Sequence, residues 1–341
     1  MKGVAIGCGA ISEFHFKGWQ RVSGAEIVAV CDVREEMARK RADEFSIPRV
    51  YTSYSAMLEA EKPDFVDVIT RPESHREIVL ESASRGIPII CQKPFSSDLS
   101  EANEMVQAAA QAGIPLMIHE NWRWRRWYRQ IKQWIDQGLL GVPRYAHFSF
   151  HSDAVLPDYG LGISWNLQRY PYQLKMPKLI LYEFGIHLVD IFRFLFGEPT
   201  RLYAVSRRRS PLIQGEDHVI LMLETEGLMS TIDLSWASWG RRSSVVLEEI
   251  SIEGDGGYIS MDQESKLRIA SASRREESLG PYASEYAEYY VESFSQTEQH
   301  FCDCLREGKE FETSGQDNLK TLGITLEAYR SMSEGISLQL N

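Results

Sequence analysis

The first 120 residues alternate between two hydrophobic periods. Short apolar, β-branched runs at 4–6, 27–30, 65–69, 87–90 and 116–118 read as strands. Between them lie stretches with helical spacing. Ile11, Phe14, Gly18 and Val22 recur at three and four, and residues 36–45 are charged and alanine-rich. Ile78, Val79 and Ala83 mark one further helix, and Met105, Val106 and Ala109 another. Strand–helix alternation of this kind predicts a parallel, doubly wound α/β sheet covered on both faces. The pattern changes after Glu120. Trp127, Ile131, Trp134 and Ile135 share one helical face, and Gly138, Gly141 and Pro143 end that helix. From Arg144 the strands are longer and alternate. They are expected around 145–150 and at 202–205, 218–224, 228–236 and 245–253, with turns at Glu226-Gly227 and at 254–257. This predicts a second, α+β domain with a large, mainly antiparallel sheet. The segment 153–178, rich in Pro, Gly and aromatics, is expected to be a functional loop. Helices at 293–307 and 316–333 close the chain, and a domain boundary is expected between 122 and 123.

Composition narrows the function classes. The 341 residues carry 37 Lys and Arg against 48 Asp and Glu, a net charge of −11. Such a chain is a poor partner for nucleic acid or an anionic membrane, and neither is expected. No apolar run is long enough to span a bilayer, and the start lacks the features of a signal peptide. The five cysteines (Cys8, Cys31, Cys91, Cys302, Cys304) form no CxxC. Reduced thiols and a cytoplasmic location are expected.

The candidate chemistry begins directly after the first strand, with Gly7-Cys8-Gly9-Ala10-Ile11-Ser12. A dinucleotide fold wants a tight first turn, a second glycine that lets pyrophosphate approach the backbone, and a small third residue. Gly7 and Gly9 suit the first two positions, and Ser12 stands at the third. Asp32, at the end of the second run, suits the hydroxyls of an adenosine ribose and favours NAD. Arg34 is near enough to hold a 2′-phosphate, so NADP stays open.

Two further segments stand out. Cys91-Gln92-Lys93-Pro94 follows the run at 87–90, where ligands of open parallel sheets bind. Downstream, Tyr182–Asp190 reads YEFGIHLVD. On a helix, Glu183, His187 and Asp190 would share a face. Taken singly, Lys93 reads as a surface charge and His187 as an inert core histidine. His147 and His151 lie ~13 Å apart on an extended strand, so the pair cannot chelate one ion, and no metal site is expected.

Together, the glycine turn with Asp32, the Lys-Pro, Glu-x-Gly-x-His-x-x-Asp, and Thr70-Arg71-Pro72-Glu73-Ser74-His75 resemble the Gfo/Idh/MocA family, the relatives of glucose–fructose oxidoreductase and inositol dehydrogenase. The resemblance runs over essentially the whole chain. It departs at Gln92, where the family usually has Glu, at Arg71 for Pro, and at Glu183 for Asp. It implies an oxidoreductase that transfers hydride between NAD(P) and a hydroxyl of a sugar, sugar derivative or cyclitol. Segments HENWRW and YEFGIH look most like an aldose-dehydrogenase subgroup, with pentoses such as apiose as substrates.

In that reading His187 is the general base, Lys93 holds the reacting oxygen, and Glu183 supports them. Cofactor contacts fall to Gly7, Gly9, Ala10, Ile11, Asp32, Arg34, Thr70, Pro72, His75, Gln92 and Lys93. Substrate contacts fall to Lys93, Asn121, Trp122, Arg123, Arg169, Glu183, His187 and Asp190. A homodimer or homotetramer pairing through the second domain's sheet is implied as well. Two rivals share the fold: a glycosidase that works through transient oxidation by bound NAD, and a dinucleotide-sensing regulator without catalysis.

Overall fold

The computed structural model describes residues 1–157, 164–239, 248–272, 274–282 and 285–340. Two compact units emerge. One is Met1–Arg125 with Tyr290–Gly323, the other Arg126–Tyr289 with Ile324–Asn341.

The first unit holds a six-stranded parallel sheet of β1 (Lys2–Ile6), β2 (Glu26–Cys31), β3 (Arg49–Tyr51), β4 (Phe65–Val68), β5 (Ile89–Gln92) and β6 (Leu116–His119). The order is β3-β2-β1-β4-β5-β6. Five helices connect the strands: α1 (Ser12–Trp19), α2 (Glu35–Phe45), α3 (Tyr54–Glu61), α4 (Pro72–Ser84) and α5 (Leu99–Gln111). Strand order reverses between β1 and β4, so their carboxyl ends open the crevice where doubly wound sheets bind ligands. Three-residue β3 is too short and polar to show in the hydrophobic pattern. All five cysteines are buried and free of disulfides.

The expected single cut at 122 does not describe this unit. The chain returns to it through most of α9 (Tyr286–Glu307) and the start of α10 (Gly315–Glu334). The reason is aromatic packing at a seven-residue spacing. Phe294 lies against the rings of His15 and His119, and Phe301 against Phe65.

The second unit carries α6 (Arg126–Asp136), α7 (Trp165–Arg169), α8 (Ile186–Phe196) and nine strands. These are β7 (Pro143–His151), β8 (Arg201–Arg207), β9 (His218–Thr225), β10 (Leu228–Ser235), β11 (Glu248–Gly254), β12 (Gly257–Met261), β13 (Leu267–Ser271), β14 (Arg274–Leu279) and β15 (Leu338–Gln339). The order is β14-β13-β12-β11-β7-β10-β9-β8-β15. The sheet is mainly antiparallel, with one parallel pair, β7 with β10. The strand expected at 245–253 begins at Glu248; residues 245–247 lie outside the described ones. Of the loop expected at 153–178, residues 158–163 also lie outside, and the rest contains α7 and a 3-10 turn, Pro171–Lys175.

One sheet face is apolar and buried, through residues such as Phe148, Leu221, Ile232 and Ile250. The tight turn before α8 lies against it. At Gly185 a Cβ would come within 2.6 Å of Leu234 Cδ1 on β10 and 2.8 Å of Leu181 Cδ1, so a side chain there would have to displace both leucine tips. The opposite face exposes Val205, Ile220, Met229 and Tyr258. No helix among the described residues is long and apolar enough to cross a membrane.

Candidate active site

The glycine turn has the geometry its spacing predicts. Gly7 has φ +106°, and its N–H donates to the Cys31 carbonyl at 2.8 Å. A Cβ there would sit 2.8 Å from the Ile69 carbonyl, so any side chain would push β1 away from the end of β4. A Cβ on Gly9 would meet nothing within 4 Å. That open approach to the backbone is what a pyrophosphate needs. Ser12 replaces the third glycine without loss: its hydroxyl donates to the Gly9 carbonyl at 2.7 Å and accepts from Arg41 Nε at 3.1 Å.

No side chain caps the start of α1, and Ala10 and Ile11 stay half-buried beside it. Asp32 accepts from the Cys8 and Arg34 amides, both at 2.9 Å, and so holds the turn and the end of β2 together. Arg34 Nε lies 3.8 Å from the same carboxylate.

At the end of β4 the Thr70 hydroxyl is buried and makes no hydrogen bond among the described residues. Pro72 opens α4. His75 is fully buried, with its two ring nitrogens each 3.0 Å from a backbone carbonyl, Phe95 and Thr70. It ties the loops after β4 and β5 together, and burial depresses its pKa. The open glycine turn, the uncapped helix start and the unsatisfied Thr70 hydroxyl fit a dinucleotide.

Lys93 stands just past β5, one strand from β4, and its bond to Pro94 is cis. Its position is tied to the interior. The Lys93 amide donates to Gln92 Oε1 at 2.7 Å, and Gln92 Nε2 donates to His15 Nε2 at 2.7 Å. His15 Nδ1 then donates to Asp67 Oδ2 at 2.9 Å, and Trp19 Nε1 reaches the same oxygen at 2.7 Å. Gln92, expected to touch the cofactor, instead spends both ends of its amide inside the unit.

The substrate contacts expected of Asn121 and Arg123 also turn inward. Asn121 donates to Ser293 at 2.7 Å, and Arg123 to the Glu312 carbonyl at 2.7 Å and to Asp317 at 2.8 Å. These side chains clamp the returning helices onto the sheet. Trp122 is buried with the Arg125 guanidinium 3.5 Å from its ring centre, and Arg169, on α7, is exposed.

Sequence reasoning missed a buried polar group beside Lys93. It comprises His15, Asp67, His119, Glu120 and Glu298, all fully buried. No spacing reveals it, because α1, β4, β6 and α9 contribute to it. Burial pushes Glu120 from 4.5 up to about 7, opposed first by the charge of Lys93. The folded protein therefore holds Glu120 protonated where the unfolded chain has released that proton. Its contribution to stability is complete below pH 4.5 and is lost as the pH rises to about 7, a difference of about 3 kcal/mol. Glu120→Gln is expected to flatten that slope, read from urea unfolding at pH 5 and pH 8.

In the second unit, residues Leu181–Gly185 form a π-helical turn that runs into α8. The simple α spacing expected for Glu183 and His187 is thus interrupted. Such single π turns recur at functional sites. His187 is buried, with the Phe184 ring edge-on 6.4 Å away, and Phe184 in turn packs on Phe150 and Trp236. Asp190 is fully buried, 3.8 Å from Arg193.

Residues 1–120 match an oxidoreductase family with an NAD-binding Rossmann fold, and residues 128–260 match the GFO/IDH/MocA C-terminal domain. A D-apiose dehydrogenase of Paraburkholderia graminis is 37% identical over 99% of this chain and 89% of its own. The chain belongs to the Gfo/Idh/MocA family of oxidoreductases. Another D-apiose dehydrogenase, from Rhizobium rhizogenes, is 34% identical over 100% of this chain and 97% of its own. Among solved structures, an oxidoreductase from Agrobacterium radiobacter in complex with NAD+, L-tartaric acid and magnesium superimposes with a TM-score of 0.90. It is 33% identical and covers 99% of this chain and 98% of that one.

As a Gfo/Idh/MocA enzyme, the chain has an NAD-binding first domain, and the cofactor's adenosine end should be read by Asp32. A carboxylate accepts hydrogen bonds from ribose hydroxyls and repels a 2′-phosphate. Asp32→Ser is expected to weaken NAD about tenfold and to improve NADP relative to it. Fluorescence titration of both cofactors against both proteins measures this.

Proposed function

We propose that this chain is an NAD-dependent aldose dehydrogenase whose substrate is a pentose of the D-apiose type. The observation that carries this reading is Lys93 at the carboxyl end of β5, on the sheet edge that also bears the open Gly7–Gly9 turn and Thr70. A regulator that only senses the dinucleotide needs no ammonium group there. The full-length likeness to D-apiose dehydrogenases supplies the substrate class.

When bound, NAD would supply the hydride acceptor for the carbinol carbon. The residues of the chain handle the oxygen and its proton. Lys93 donates a hydrogen bond to the hydroxyl oxygen and stabilises the negative charge that develops there. His187, assigned through its family motif, takes the hydroxyl proton. Glu183 and Asp190 hold neighbouring substrate hydroxyls or orient the imidazole. Gln92 and His15 act behind Lys93 by fixing the backbone that carries it.

Copies of the chain pair through the open face of the nine-stranded sheet, where Val205, Ile220 and Met229 are exposed. The buried, reduced cysteines accord with a cytoplasmic enzyme.

A panel of pentoses, hexoses, cyclitols and sugar acids, assayed with NAD by absorbance of the reduced cofactor, tests the proposal. D-Apiose is expected to give the highest kcat/KM. A higher value for a cyclitol or a sugar acid would overturn the substrate class.

A further inference from the structure

A second group of chemistry-bearing side chains gathers on the open face of the nine-stranded sheet, outside the redox site. Strands β7, β10 and β9 are neighbours, and Ser235 of β10 is in register with both His151 of β7 and His218 of β9. Asp233, two residues before Ser235, lies on the same face. One of its oxygens, Oδ1, is 3.1 Å from His151 Nε2 and 3.3 Å from His218 Nε2. One ligand atom from each of the three residues lies within 4.8 Å of the other two. The sequence pairs His151 only with the distant His147; the fold instead supplies partners from two other strands.

These distances suit a coordinated ion. A metal about 2.0–2.2 Å from each of two ligands at a tetrahedral angle separates them by about 3.3–3.5 Å. The side chains are 25%, 33% and 27% exposed for His151, His218 and Asp233, with the His151 Nε2 atom itself buried. A nearby positive group, Arg207, is in register with His218, but its Nη1 is given to the Ser206 carbonyl. His147 is engaged with Thr231 Oγ1 at 2.7 Å.

We propose that His151, His218 and Asp233 form a binding site for a divalent first-row transition ion, of which Zn2+ is the type. Two imidazoles and one carboxylate select such ions over Mg2+ or Ca2+. All three ligands come from one chain, on the same sheet face through which copies of the chain are proposed to pair. Three protein ligands leave a position for water. The proposal is independent of the sugar and of the redox residues.

The test is a Zn2+ titration of the full-length, chelator-stripped protein against a competing chromophoric chelator, with melting followed by circular dichroism. One Zn2+ per chain is expected. Its affinity should fall about a hundredfold or more in His151→Ala and in His218→Ala and stay unchanged in His147→Ala. Zn2+ should raise the Tm of the wild type but not of Asp233→Asn, a variant that keeps the shape of the side chain. If His218→Ala fails to fold, the milder His218→Gln takes its place. The proposal is overturned if the stripped protein takes up no Zn2+, if affinity is the same in the ligand variants, or if Asp233→Asn shows the same rise in Tm. In those cases Asp233 only bridges two imidazoles.

Discussion

Lys93→Met is expected to lower kcat by about 10³-fold while NAD affinity changes less than about threefold. The side chain keeps its approximate length and loses its donor. Its task in this account is to stabilise charge that appears on the substrate oxygen only as the C–H bond breaks. Removal of one donor of that kind from an enclosed site typically costs about 10²–10³ in rate, and more where the donor is a full positive charge. The ground-state complex with NAD gains little from the same contact, so binding and turnover should separate. Lys93 is held in place by the Gln92 bond to its amide, which the substitution leaves intact. Glu120 gives a second readout. With the Lys93 charge gone, the first-named influence opposing burial disappears, and Glu120 should titrate higher than about 7. A near-wild-type kcat would make Lys93 a surface charge and move the active site elsewhere.

His187→Asn is expected to lower kcat about 10²–10⁴-fold at neutral pH, the usual range for a positioned base. Sugar oxidation requires a neutral imidazole to take the hydroxyl proton, so wild-type kcat/KM should fall as the pH drops and His187 becomes protonated. The asparagine variant has no such group, and its acidic limb should flatten while NAD still binds. A full acidic limb in an otherwise active variant would assign the proton acceptor to another residue.

The nucleotide half of the site is legible in the sequence because its logic is local. Gly7, Gly9 and Asp32 sit at strand ends that hydrophobic runs already mark, and backbone needs dictate their identities. The network behind Lys93 is different. His15, Asp67 and Gln92 are separated by dozens of residues, and only the order β1-β4-β5 brings them together. The inward turn of Asn121 and Arg123 depends likewise on α9 and α10 returning to the first sheet, a consequence of where Phe294 and Phe301 pack. The π turn at Leu181–Gly185 is hidden because the local pattern is equally good for an α-helix. Among the strands, β13 to β15 leave no clear hydrophobic signal because they are short and lie toward the sheet's edges, with β14 reading RREESL. The parallel pairing of β7 with β10 joins segments about eighty residues apart, beyond the reach of any turn signal.

The central claim is that a hydride passes from a carbinol carbon of a sugar to NAD. Its most direct test is the mass of the reduced cofactor after turnover with an aldose carrying deuterium at every carbon-bound position. The account predicts that the reduced nicotinamide gains one deuterium, in amounts matching the oxidised sugar, and that Lys93→Met suppresses this label. Reduced cofactor without deuterium, or sugar consumed with no net reduction of NAD, would contradict it.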